Sequence, residues 1–170
     1  LADLELKEVM NVTAGGVQLA AYDFTSQENI RLRLYLAHRA GLKRSDLDLV
    51  VLNALDEKGW QEFLATMRPV FGKELEGEQL PAADKQSFEQ TAKMFASFKW
   101  AMAYVAPRGI GPTEWDRSER KRTQIRRRFM LLGQTRDGMR VWDVRRGVQA
   151  LRATAGMRDV QLWMQGQRDM

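Results

Sequence analysis

The residues that bear most directly on chemistry are 160–170, VQLWMQGQRDM. They read as a short buried strand running into a tight turn at Gly166. A strand-to-helix turn of the form G-x-S-x-G lifts a nucleophilic serine above a sheet edge: small flanking residues let the backbone turn sharply, and the strained position exposes the side chain. Here the five places read Gly166-Gln167-Arg168-Asp169-Met170. A guanidinium stays protonated and cannot attack an acyl carbon. Arg168 at the serine place therefore removes the nucleophile, and Met170 replaces the second glycine. The oxyanion formed at such a turn is held by the N–H of the following residue and by one from an earlier loop. By position these fall on Asp169 and on the Leu55-Asp56 loop. A carboxylate at 169 would stand close to the developing negative charge.

Other residue types offer less. His38 is the sole histidine and ends a strand far upstream of the turn, which reads as a surface or strand-end position. Asp46, Asp48, Asp56 and Glu57 match no metal-ligand spacing, so no metal is expected. Gly109 and Gly111 belong to neither G-x-G-x-x-G nor G-x-x-x-x-G-K-[ST], which leaves them as turn residues and gives no cofactor signature. There are no cysteines, hence no thiol nucleophile and no zinc–thiolate site. Arg108, at the end of a strand, and Trp115, in the loop beyond it, are the residues expected to line a cleft. Trp60, Trp100, Trp142 and Trp163 read as core.

Charge is uneven. Residues 117–128 hold Arg117, Arg120, Lys121, Arg122, Arg126, Arg127 and Arg128 against Glu119 alone, while residues 56–84 are more acidic. A basic helix can track a phosphate backbone. Yet Ile125, Phe129 and Leu132 give this stretch an apolar face, few aromatics are available to stack bases, and nucleic acid is the weaker expectation. An acidic protein partner remains open. No apolar run is long enough to span a bilayer, so no membrane role is expected.

These groups must be positioned by a scaffold. Residues 1–10 are mixed and suit a short helix packed outside. VQLAAYDF from Val17 and NIRLRLYLAHR from Asn29 alternate with period two, with a polar turn at 25–29, and predict a hairpin. LDLVVLN, residues 47–53, is a continuous apolar run of the kind buried on both faces of a parallel sheet. Helices are expected over residues 60–71, through Phe88, Met94 and Phe95, and over about 118–132. A further helix would carry the stripe Val141, Val144, Val148 and Leu151 toward a sheet. Strands are expected at residues 100–106 and 160–164. Strands joined by helical crossovers predict an α/β fold: a mostly parallel sheet flanked by helices and entered by an antiparallel hairpin.

The order of these motifs resembles the N-terminal part of an α/β-hydrolase. The nearest groups are acetyl xylan esterases, cephalosporin-C deacetylases and dienelactone hydrolases. Ala106-Pro107-Arg108-Gly109-Ile110-Gly111 is similar to their D-x-R-G-x-G-like strand end, residues 142–152 to the helix before the elbow, and residues 166–170 to the elbow itself. The resemblance spans residues 16–170, leaves 1–15 as an N-terminal extension, and stops at the elbow. It implies ester hydrolysis of a small ester or carbohydrate ligand by a serine activated by histidine, with Asp and His supplied by later strands that this sequence does not contain. A hydrolase-like scaffold disarmed at Arg168 and a binding module using the basic helix are both open. A sheet cut at this point would expose an edge, so a remaining C-terminal half or a second chain is expected to cover it.

Overall fold

The computed structural model describes residues 3–75, 80–115, 118–131 and 133–166. A six-stranded sheet contains β1 (Lys7–Ala14), β2 (Val17–Gln27), β3 (Ile30–Arg39), β4 (Leu49–Ala54), β5 (Trp100–Val105) and β6 (Gln161–Gly166), in the spatial order β1-β2-β3-β5-β4-β6. Between them run the helices α1 (Glu57–Phe71), α2 (Lys85–Ser97), α3 (Glu119–Leu131) and α4 (Arg136–Ala153).

The sheet is mixed rather than mostly parallel. β1, β2, β3 and β5 pair antiparallel in turn, and only β5–β4 and β4–β6 are parallel. The reason is connection length. Gly15-Gly16 and Glu28-Asn29 join successive strands by turns too short for a crossover, so those neighbours must reverse direction. Helical crossovers begin only after β4. The N-terminal segment is a strand, not an outlying helix: Met10, Val12 and Ala14 alternate along β1 and pack on the same core as β2.

Side-chain alternation divides the core into two layers. Val17, Leu19 and Ala21 of β2 meet Trp60, Phe63, Leu64, Met67 and Phe71 of α1, with Phe88 and Phe95 of α2 beside them. Ala20, Tyr22 and Phe24 face the other way, toward Ala150 and Leu151 of α4. The spacing of the α1 residues forms one continuous apolar stripe. Asp56 starts that helix, its Oδ1 accepting the Gly59 N–H at 2.7 Å.

Two expectations fail on the β6 side. β6 is the outer strand and exposed along nearly its whole length, with Trp163 60% accessible, so neither the strand nor this tryptophan is buried. On α4, Leu151 is buried but Val141 is 70% exposed and Val144 and Val148 are only partly covered. The face turned to the sheet is Asp143, Arg146, Gly147, Ala150 and Leu151. At Gly147 an added Cβ would stand 3.3 Å from Val105 Cγ2, so the missing side chain sets how closely the helix approaches β5.

Candidate functional site

The chain's path creates a crevice. From β4 it crosses one face of the sheet through α1 and α2 to reach β5; from β5 it crosses the opposite face through α4 to reach β6. Loops leaving β4 and β5 therefore diverge, and the space at the carboxyl ends of these adjacent strands is where open α/β sheets bind ligands. A cavity of about 500 Å³ lies there. Asp56, Glu57 and Lys58 enter it from the β4 side, Gly109, Ile110 and Trp115 from the β5 loop, and Ile125, Arg126 and Phe129 from α3. Arg136 and Arg140, from the first turns of α4, complete one wall.

The β5 loop owes its path to Gly109 and Gly111, both at positive φ (80° and 55°). A Cβ on Gly109 would fall 2.8 Å from the Trp115 ring, and one on Gly111 2.7 Å from the Trp60 indole. The loop thus folds under Trp115 and over the end of α1, which fixes Trp115 in the cavity wall with its ring 5.6 Å from Phe129. Both glycines meet a steric and a conformational requirement together.

Arg108 takes no part in the wall. It is buried, and its guanidinium forks onto the fully buried Asp143: Nε donates to Oδ2 at 2.8 Å and Nη2 to Oδ1 at 2.6 Å. The Arg108 backbone N–H also donates to Oδ2, Ser26 Oγ donates to Oδ1 at 2.5 Å, and Arg108 Nη1 donates to Gln27 Oε1. Arg146 donates to the Thr25 carbonyl, and the Trp142 indole N–H to that of Ser26. These bonds clamp the β5 loop, the end of β2 and α4 together behind the cavity. Asp143, Ser26 and Arg146 were not singled out by sequence reasoning. Nothing local distinguishes a carboxylate that will meet an arginine 35 residues away from one that faces water.

The other residues named from sequence are placed as follows. The Leu55 N–H donates to the Val105 carbonyl at 2.9 Å, so this amide belongs to the sheet and is not free to meet an oxyanion. The Asp56 side chain is engaged at the α1 cap. Arg168 and Asp169 lie outside the described residues. His38 is not at the surface: it is 1% exposed on β3, its Nδ1 lies 2.9 Å from the Arg39 carbonyl and its Nε2 has no hydrogen-bond partner among the described residues. Burial holds its pKa below the ordinary histidine value. Arg140 is half-buried, and desolvation, then the neighbouring Arg136, lower its pKa. No group of acidic or histidine side chains suited to a metal occurs among the described residues, and none of the described helices is long and apolar enough to cross a membrane.

No protein-family model and no curated protein matches the sequence. Solved structures do match it. A candidate acetyl xylan esterase of Bacteroides fragilis superposes with a TM-score of 0.68 at 11% identity, over 98% of this chain and 42% of that one. A glucuronoyl esterase of Solibacter usitatus superposes with a TM-score of 0.60 at 15% identity, over 98% of this chain and 46% of that one. The chain therefore has the fold of the N-terminal half of an esterase of this kind, and spans less than half the length of these two structures.

Proposed function

We propose that the chain is the N-terminal part of an esterase-type α/β-hydrolase domain whose acyl-transfer corner is disarmed by Arg168. The observation that carries this reading is the cavity at the carboxyl ends of β4 and β5, where the chain reverses its winding, with β6 leading alongside toward residues 166–170. In a hydrolase of this fold that corner would seat a small ester or a carbohydrate ester. A guanidinium at position 168 supplies no nucleophile. Of the amides assigned to the oxyanion, those of Asp56 and Asp169 remain candidates and that of Leu55 does not, being committed to Val105.

The same reading gives the exposed side of the sheet a purpose. Val141, Val144 and Val148 of α4 form with Ala54 and Met164 a mainly apolar depression of about 560 Å³ beside β6. Further polypeptide, either a C-terminal half of the same protein or a second chain, would extend the sheet from β6 and cover it.

The test is hydrolysis of a small aryl acetate with and without a serine-directed phosphonate. The expected result is no hydrolysis above the buffer rate. Phosphonate-sensitive turnover would overturn the disarmed corner.

A second reading rests on α3, where Arg120, Arg127 and Arg128 are exposed and, among the described side chains, only Ile125 and Phe129 are partly covered. Such a helix suits an acidic partner. Retention on heparin that falls steeply with salt would support it, and flow-through at low salt would remove it.

A further inference from the structure

We propose that the cleft holds an anion-binding site, in which Arg126, Arg136 and Arg140 grip the carboxylate or phosphate group of a ligand whose ring lies against Trp115 and Phe129. The proposal rests on reading this cleft as the ligand site and not on any hydrolytic chemistry.

Three guanidinium groups from two helices line one cavity of about 500 Å³. Among the described residues, Arg126 and Arg140 form no ion pair. Arg140 makes one long hydrogen bond, from Nε to the Arg108 carbonyl at 3.4 Å, and that of Arg136 to Asp137, also 3.4 Å, lies in the open. A guanidinium presents five donors in a planar fork. Arg140 is partly withdrawn from water beside a second cation, which Asp137, Asp143 and Asp56 offset only in part, so an incoming anion would favour its charge further. The cavity acids are not ion-paired to Arg126 or Arg140: the Asp56 carboxylate acts on Arg140 at a distance while it caps α1, Glu57 and Glu114 have interactions of their own, and Glu119 stands in the first turn of α3. The remaining wall is Ile110, Trp115, Ile125 and Phe129. A cationic end beside an aromatic and aliphatic wall suits a planar ring carrying an oxyanion. The guanidinium fork binds the oxygens in pairs, and the ring is desolvated against indole and phenyl.

The site is tested by calorimetric titration of the full chain with benzoate, phenyl phosphate, benzyl alcohol and acetate. Benzoate or phenyl phosphate is expected to bind at least about tenfold more tightly than benzyl alcohol, the neutral ring, and than acetate, the ringless anion. The tighter of the two anions tells a carboxylate site from a phosphate site. Binding should weaken with salt and fall about tenfold in both Arg126→Gln and Arg140→Gln. Arg126 is exposed, so its variant folds and keeps the test decisive. Equal affinity for benzoate, phenyl phosphate and benzyl alcohol would overturn the proposal. So would acetate binding as tightly as the ring-bearing anions, or affinities unchanged in both variants. The readout is binding alone, so ester hydrolysis by the chain would sink the disarmed corner and leave this site standing.

Discussion

The helices α1 and α4 cover opposite faces of one sheet by different physics. α1 is held by apolar burial: Trp60, Phe63, Leu64, Met67 and Phe71 form a single stripe, tied to the sheet by Tyr35, whose ring lies 4.9 Å from that of Phe63. α4 meets the sheet with Gly147, Ala150, Leu151 and a buried ion pair, and turns Val141 and Val144 outward. Apolar burial is non-directional and tolerates small shifts, whereas a bidentate Arg–Asp fork fixes an angle and a register. Both helices reach the cavity with their first turns, and α4, the one that leads on to β6, is placed by geometry-specific bonds. That arrangement suits a site whose groups must hold position.

Breaking the two attachments should show the difference. Asp143→Ala leaves Arg108 buried and uncompensated and strips acceptors from Ser26 and the Arg108 N–H. A loss of about 3–5 kcal/mol is expected by chemical denaturation. The double variant Arg108→Met with Asp143→Leu should recover much of it, since removing both charges removes the desolvation cost that one alone would bear. If Asp143→Ala costs no more than a surface change, the clamp is not what seats α4. On the other face, Leu64→Ala should cost about 2–5 kcal/mol through lost burial and a residual cavity, and no charge-removing partner substitution should rescue it.

This contrast also explains what the sequence disclosed. α1, α2, β4 and β5 were legible because the periods of their apolar residues match the faces they bury, and the basic helix was legible from its charge. The direction of the sheet was not, since alternation marks a strand without telling which way its neighbour runs. α4 was misread because its valine stripe is the more apolar face, yet the sheet takes the face with Asp143, Arg146 and Gly147. That choice follows from Arg108 on a distant strand end, a partner outside any local window. Arg108 was singled out as a cleft residue from its place after β5 and proves to be the anchor behind the cleft. His38 looked peripheral because it nears the end of β3, but β2 and β5 flank it on both sides.

His38 gives the comparison a pH axis. Its folded pKa lies below the unfolded value of 6.5, so protonation favours the unfolded chain. Stability should be full above the unfolded pKa and decline as pH falls from there toward the folded pKa. Denaturation midpoints measured from about pH 7 down to about pH 5 should fall more in the parent than in His38→Gln, which has no proton to gain. Parallel pH profiles would show that the buried imidazole is not the titrating group.

The smallest effect is expected where α4 turns outward. Val141 is largely exposed beside Met164, so Val141→Lys removes little buried surface and should change the stability of this chain by less than about 0.5 kcal/mol. A cost of about 1 kcal/mol or more would mean that the valine stripe already packs as core. The same substitution should reduce self-association, because an ammonium group set in an apolar depression beside an open sheet edge opposes pairing of copies through β6. Sedimentation of the parent and the variant measures that directly. A lysine that leaves stability unchanged while dispersing the protein would mark this face as a surface meant to be covered, on the side of the helix opposite the clamp.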